Sequence, residues 1–232
     1  MLKGDDGKTL RWVDGFRDLA PSEISQVSAL CRWRWYTPDE CIVSQEDTTN
    51  DVFFIVQGRI RIKRYSAAGK EVSFRDIGVG KAFGELAAID GLPRSASAVA
   101  LCDALLASMS AAMYWQVLQS YPALTADCLK RLALLVRTLT DRVVEFATLP
   151  VRDRVHAELL RLAVRRSGEL ELWEIHPMPT HAELANRLAT HREAVTRVLH
   201  ALELQGVIQR DGKKLILSDR EGLRRRVLEK EM

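Results

Sequence analysis

Two short stretches of the chain carry side chains whose types and order suit particular chemistry. The first runs from Phe83-Gly84-Glu85-Leu86 to Arg94-Ser95. A glycine opening a short helical turn leaves backbone amides free for a phosphate, Arg94 adds a forked cation, and Glu85 is a ready acceptor for a ribose hydroxyl. A plain ion pair between Glu85 and Arg94 is the alternative that residue type alone leaves open. The second stretch holds two capping-box patterns, Thr180-His181-Ala182-Glu183 and Thr190-His191-Arg192-Glu193, whose starts lie ten residues apart. Each pairs a side-chain acceptor with a glutamate three positions on, so two helices should begin there in quick succession.

The first of these helices turns Leu184 and Leu188 inward. The second turns Val195, Val198, Leu199 and Leu202 inward and stops at Gly206. A short helix, a tight turn and a longer helix form a helix-turn-helix. Arg192, Glu193, Thr196 and Arg197 lie on the outward face, near the end that enters a major groove. There arginine grips guanine O6 and N7, and glutamate accepts from cytosine N4. As isolated residues they read equally well as a cap and solvated charge. Val207–Arg210 and Lys214–Leu217 alternate around an Asp211-Gly212 turn, which predicts a wing made basic by Arg210, Lys213 and Lys214. His181 is placed either to reach a backbone phosphate or simply to cap the surface of its helix.

These groups need elements to hold them. Arg32 to Leu106 reads as short strands punctuated by glycine: Ile60 and Ile62 alternate with charges in Gly58–Lys63, Ser66–Lys70 supplies a hairpin turn, and Gly78 and Gly80 mark a further bend. A helix over Pro21–Leu30 precedes them. From about Tyr114 the periodicity becomes helical. Leu129, Leu132, Val136, Leu139, Val143 and Phe146 follow a 3-4-3-4-3 spacing that sets six apolar side chains on one seam. Such a seam pairs with a copy of itself as a two-helix coiled coil; packing on its own domain would need a wider stripe, and Leu135 widens this one. Thr148-Leu149-Pro150 ends the helix and reads as a hinge. A helix over Val151–Arg165 follows, with Val155, Leu159, Leu160 and Ala163 inward, and then a small strand near Leu170–Leu172. The expected division is a sensor over 1–120, a dimerisation helix over 121–147 and a DNA-binding domain over 148–232.

Composition narrows the choice of class. The chain has 232 residues, is 47% hydrophobic and carries a formal charge of +3. From Thr148 onward there are 16 Lys and Arg against 13 Asp and Glu, while the preceding part balances at 18 each, so the whole excess lies with the predicted DNA-binding part. Apolar runs such as Val52–Val56 are too short to cross a bilayer, and the first residues lack the apolar stretch of a secretory signal; no membrane partner and a cytoplasmic location are expected. Cys31, Cys41, Cys102 and Cys128 lie far apart, which predicts buried free thiols and no metal. No nucleophile elbow, P-loop or metal-helix motif is present, so an enzyme is not expected.

The segment from Phe83 to Ala98 closely resembles the phosphate-binding cassette of cyclic-nucleotide-binding domains. Almost the whole chain from Arg32 to Ser218 resembles the CRP/FNR family of bacterial transcription regulators, and most of all its cyclic AMP receptor branch. The resemblance implies an α+β protein: a cyclic-nucleotide-binding β-roll (a jelly roll, or double-stranded β-helix), a long coiled-coil dimerisation helix and a C-terminal winged helix-turn-helix. It implies that Gly84, Glu85 and Leu86 hold ribose and phosphate, that Arg94 binds the cyclic phosphate, and that Ser95 bonds the phosphate or the base. Two adjacent hydroxyl residues touch the purine in that branch; here they correspond to Leu139-Thr140, of which only Thr140 matches. Cyclic AMP is then the first choice of effector and cyclic GMP the second. Arg192, Glu193 and Arg197 match positions that read a TGTGA-type half-site, which implies a palindromic duplex, a homodimer and RNA polymerase as partner.

Rival classes fit less well. Clustered N-terminal cysteines for an iron–sulfur sensor are lacking, and all five histidines (His156, His176, His181, His191, His200) fall in the DNA-binding half, away from a haem site in the roll. A nucleotide-independent regulator keeps the same fold. A receptor module without a DNA role conflicts with the helix-turn-helix.

Overall fold

Val52-Phe53-Phe54-Ile55-Val56 is apolar at five successive positions, and a strand buries such a run only when both of its faces are covered. The computed structural model, which describes residues 10–65, 71–165 and 172–228, shows how this is done. The chain forms two compact units, divided between Val136 and Arg137 inside a long helix.

The first unit opens with a 3₁₀ turn (Leu10–Trp12) and α1 (Pro21–Ala29). The strands β1 (Arg32–Tyr36), β2 (Cys41–Val43), β3 (Val52–Gln57), β4 (Arg59–Tyr65), β5 (Glu71–Gly78), β6 (Ala82–Phe83), β7 (Ser97–Ala100) and β8 (Ala104–Met109) follow, with α2 (Glu85–Asp90) between β6 and β7. They make two four-stranded antiparallel sheets, ordered β1-β8-β3-β6 and β2-β7-β4-β5. Phe53 and Ile55 join Ile60, Phe83 and Leu106 in one core. Val52 and Phe54 turn the other way, onto Phe16, Ile24, Tyr114 and Leu124. One strand thereby ties the roll to its helical cover. The predicted turn at Ser66–Lys70 lies outside the described residues.

Helical periodicity does begin near Tyr114, but it is carried by two helices, α3 (Ala111–Ser120) and α4 (Pro122–Thr148). Tyr121 leaves helical geometry (φ −127°, ψ 86°) because the residue before a proline is pushed out of the α region. Along α4 the predicted seam is uncovered: Leu129, Val136, Leu139, Val143 and Phe146 are all exposed, and Leu132 alone packs partly against the sensor core.

The second unit continues with α5 (Val151–Leu162), β9 (Val164–Arg165), β10 (Trp173–Ile175), α6 (His181–Arg187), α7 (Arg192–Leu204), β11 (Ile208–Asp211), β12 (Lys214–Leu217) and α8 (Arg220–Leu228). Pro150 caps α5, so the break expected at Thr148–Pro150 is present. Helix α5 is shorter than the periodicity predicts, because Val164 and Arg165 pair with Glu174 and Trp173 as a strand. Of the strand predicted near Leu170–Leu172, Leu170 and Glu171 are outside the described residues and Leu172 precedes β10. Val155, Leu159, Leu184, Leu188, Val195 and Leu199 form the core beneath the helix-turn-helix.

The thiols divide differently from the expectation. Cys128 is buried and Cys31 partly so, with burial pushing the Cys31 thiol up to about 12, while Cys41 and Cys102 are exposed. Among the described residues no helix is long and apolar enough to cross a membrane, and no three metal-ligating side chains cluster.

Charge joins the end of α4 to the helix-turn-helix. Glu158 on α5 is 1% exposed and faces Arg142 of α4 at 3.0 Å, Arg187 of α6 at 3.7 Å and Arg161 of its own helix. Arg161 also holds Glu145 of α4 at 2.5 Å. Removing one member of a buried ion cluster strands the rest. Glu158→Ala should therefore lower the stability of this unit by about 3–5 kcal/mol, read as an earlier urea midpoint; a loss below about 1 kcal/mol would mean that solvent screens the cluster.

Candidate functional site

Arg94 follows the loop after α2 and turns back under the roll, where only 2% of it is exposed. Its Nη1 donates to the Gly84 carbonyl (3.0 Å), Nη2 to the Asp51 carbonyl (2.9 Å) and Nε to Thr49 Oγ1 (3.1 Å). The guanidinium also lies 5.7 Å from the centre of the Phe53 ring, which stacks on Phe83. Three of five donors are used, and none meets a carboxylate within ion-pair distance among the described residues. Burial pulls the Arg94 guanidinium below its ordinary range, while the fields of Asp51, Asp47 and Glu85 act against that pull. A buried cation held by neutral carbonyls retains most of its appetite for an anion.

The Glu85–Arg94 ion pair left open by the sequence does not form. Glu85 is half-buried at the start of α2 and makes no hydrogen bond or ion pair among the described residues. Leu86 and Ser95 are exposed. Gly84 is the N-cap of α2 at φ +85°, and a Cβ there would stand 2.7 Å from Arg94 Nη1 and 2.8 Å from the Asp51 carbonyl oxygen. Only glycine permits that close approach. Thr49 and Asp51 complete the seat of Arg94 without any sequence signature. Their contacts are made by a backbone oxygen and a single hydroxyl some forty residues away in the chain, which no local pattern signals. Thr140 lies exposed on α4, in the second unit.

In the helix-turn-helix, α6 starts as expected: Thr180 Oγ1 accepts from the Glu183 amide (3.2 Å) and Glu183 accepts from the Thr180 amide (2.7 Å). The second capping box is not formed. Helix α7 is capped by His191 without a side-chain bond, because Thr190 is drawn into the inter-helix turn, its amide on the Ala185 carbonyl and Ala189 at φ +48°. Arg192, Glu193, Thr196 and Arg197 are nonetheless on the exposed face, as predicted. Arg192, Glu193, Arg197 and Lys213 make no side-chain bond among the described residues, whereas Thr196 Oγ1 donates to the Arg192 carbonyl at 2.9 Å. The wing turn is Gly212-Lys213 rather than Asp211-Gly212, since Asp211 pairs with Lys214, and it puts Lys213 at the tip. His181 is bonded on both ring nitrogens, to Thr196 and to Arg210.

A roll with a buried, anion-seeking arginine and a winged helix with a bare polar face define a ligand-responsive DNA-binding class. Comparison with known proteins agrees in both halves. Residues 33–121 match the cyclic nucleotide-binding domain, and residues 153–226 match the Crp-like helix-turn-helix domain. The chain is 33% identical over 197 residues to the cyclic AMP receptor protein of Thermus thermophilus, covering 84% of this chain and 87% of that one. It is 26% identical over 215 residues to a CRP-like cAMP-activated global transcriptional regulator of Mycobacterium tuberculosis, covering 91% and 95%. Among solved structures, the Thermus thermophilus catabolite activator protein superposes with a TM-score of 0.53 at 29% identity, covering 93% and 98%. The chain belongs to the CRP/FNR family of cyclic-nucleotide-binding transcription regulators, which are not enzymes.

Gly84→Ala should push Arg94 off its carbonyl seat at a strain of roughly 1–2 kcal/mol, lowering both the thermal midpoint and nucleotide affinity. Calorimetry on the variant would show it; unchanged affinity would place the ligand elsewhere.

Proposed function

We propose that the chain is a homodimeric regulator that binds one cyclic nucleotide per roll at Arg94 and, in response, reads a palindromic TGTGA-like duplex. The observation that carries the reading is the buried guanidinium of Arg94, which meets only neutral acceptors among the described residues. A cyclic phosphate is a singly charged anion able to take the remaining donors, with Gly84, Glu85 and Leu86 holding ribose and phosphate and Ser95 bonding the phosphate or the base. Cyclic AMP is the first choice of effector, in keeping with the relatives' names. Leu139 beside Thr140 leaves one hydroxyl where the resemblance would have two, so fewer hydrogen bonds discriminate adenine from guanine and cyclic GMP is the second choice.

The uncovered seam on α4 supports pairing with a second copy, so residues 121–147 serve as the dimerisation helix between a sensor (1–120) and a DNA-binding domain (148–232). Nucleotide engaging Thr140 extends the pairing toward Phe146 and turns the DNA-binding domains about Thr148–Pro150. The two α7 helices then enter successive major grooves about 34 Å apart. Arg192, Glu193, Thr196 and Arg197 face base edges, Lys213 a phosphate, and His181 the backbone side of the same surface. RNA polymerase is the further partner.

Mobility shift of a palindromic TGTGA duplex, with and without each nucleotide, tests the whole reading; no shift under any nucleotide would sink it. Arg94→Ala should abolish calorimetric binding of both nucleotides and the nucleotide-dependent shift while the dimer persists. Val143→Asp places a charge in the seam, and sedimentation should find it monomeric at concentrations where the parent is dimeric. A variant still dimeric there would move the interface off α4.

A further inference from the structure

Helix α6 is capped by Thr180, which frees the next residue, His181, to reach across the helix-turn-helix. Its Nδ1 stands 2.7 Å from Thr196 Oγ1 on α7, and its Nε2 stands 2.6 Å from Arg210 Nη2 on β11. Arg210 Nε in turn donates to Glu203 of α7 at 2.5 Å, and Thr196 Oγ1 donates to the Arg192 carbonyl. A guanidinium only donates. Nε2 must therefore accept, the ring must be neutral with its proton on Nδ1, and Nδ1–H must donate to Thr196. One chain of bonds thus runs from the wing through α6 to the start of α7. It ends on Thr196 and on the carbonyl of Arg192, two of the residues set to meet bases.

We propose that His181 is a positioning residue for base reading, locking wing and recognition helix together only while its ring is neutral, so that this domain loses sequence discrimination in mild acid. The inference rests on α7 being the base-reading helix. The charged groups around the ring are Arg210 from the wing and Arg192 and Glu203 from α7, while Glu183 on its own helix is held by Thr180. A proton on Nε2 would face the Arg210 cation at contact distance, where like charges repel. Arg210 must then swing away, releasing Glu203 and the wing. The same proton adds positive charge to the DNA-facing surface, which strengthens phosphate attraction that carries no sequence information. Discrimination falls while general affinity rises.

Burial, Arg210 and Arg192 hold the imidazole below its usual range, with Glu203 opposing them. The folded domain therefore binds this proton less readily than the unfolded chain. The clamp's contribution is complete above the unfolded value of about 6.5 and fades as the pH falls below it.

The test uses the full chain with saturating cyclic nucleotide and measures affinity for a palindromic TGTGA duplex and for a scrambled duplex, from about pH 8 to about pH 5.5, spanning the histidine range. The specific-to-scrambled ratio should fall several-fold across that range. His181→Ala should show a low, flat ratio. His181→Gln, whose amide both accepts from Arg210 and donates to Thr196, should show a flat ratio well above that of the alanine variant. An alanine variant with the parent's ratio and pH profile would overturn the proposal, as would an equal loss on both duplexes, which marks a phosphate contact. In the DNA-free protein, nitrogen NMR should find the Nδ1-protonated tautomer at neutral pH; the Nε2 tautomer overturns the clamp even if a variant fails to fold. Absence of binding to either duplex by the parent would instead bring down the DNA-reading assignment on which the clamp depends.

Discussion

A full positive charge buried against backbone carbonyls governs the sensor. Taking a guanidinium out of water is costly, and carbonyl oxygens with one hydroxyl recover only part of its hydration. The surrounding chain is arranged to make the remainder tolerable: Gly84 gives up its side chain so that its carbonyl can come close, Phe53 offers a ring face, and Asp51 bends its backbone inward while its carboxylate turns to Arg32. Strand β3, which carries Phe53, is the same strand whose opposite face seats the helical cover. The ring beside Arg94 and the seat of the helical cover thus lie on one strand.

The second unit uses charge in another way. Around Glu158 several guanidinium groups converge on one carboxylate, and they come from α4, α5 and α6. Arg154 adds a link to neutral partners, its guanidinium lying 5.3 Å from the centre of the Phe146 ring while donating to the Leu188 carbonyl at the end of α6. Contacts that share partners in this way are energetically linked, since removing one leaves the others unpaired. These contacts tie the end of α4 to the first helix of the helix-turn-helix across the break at Pro150.

Much of this was legible from spacing. The seam on α4, the break at Pro150, the inward faces of α6 and α7 and the cassette from Gly84 to Ser95 follow from periodicity, proline chemistry and residue order, which are local properties. The misses share a cause. The unformed box at Thr190, the wing turn displaced to Gly212-Lys213 and the truncation of α5 at Leu162 were each decided by a backbone pairing that residue type does not announce: Thr190 on the Ala185 carbonyl, Asp211 with Lys214, and Val164 with Glu174. Thr49 and Asp51 belong with them. A sequence shows what a residue offers and says little about which remote oxygen accepts it. The double use of His181 is the clearest case, since neither Thr196 nor Arg210 lies within a turn of it in the chain.

The stripe of Leu129, Val136, Leu139, Val143 and Phe146 is open to water on the single chain. Under the proposed self-pairing, a stripe of that kind makes the behaviour of each molecule depend on how many others share its volume. Pairing rises with the square of free chain, so a cell that doubles its stock of this protein more than doubles the paired form while single chains predominate. On that proposal, abundance acts as an input beside the small-molecule signal.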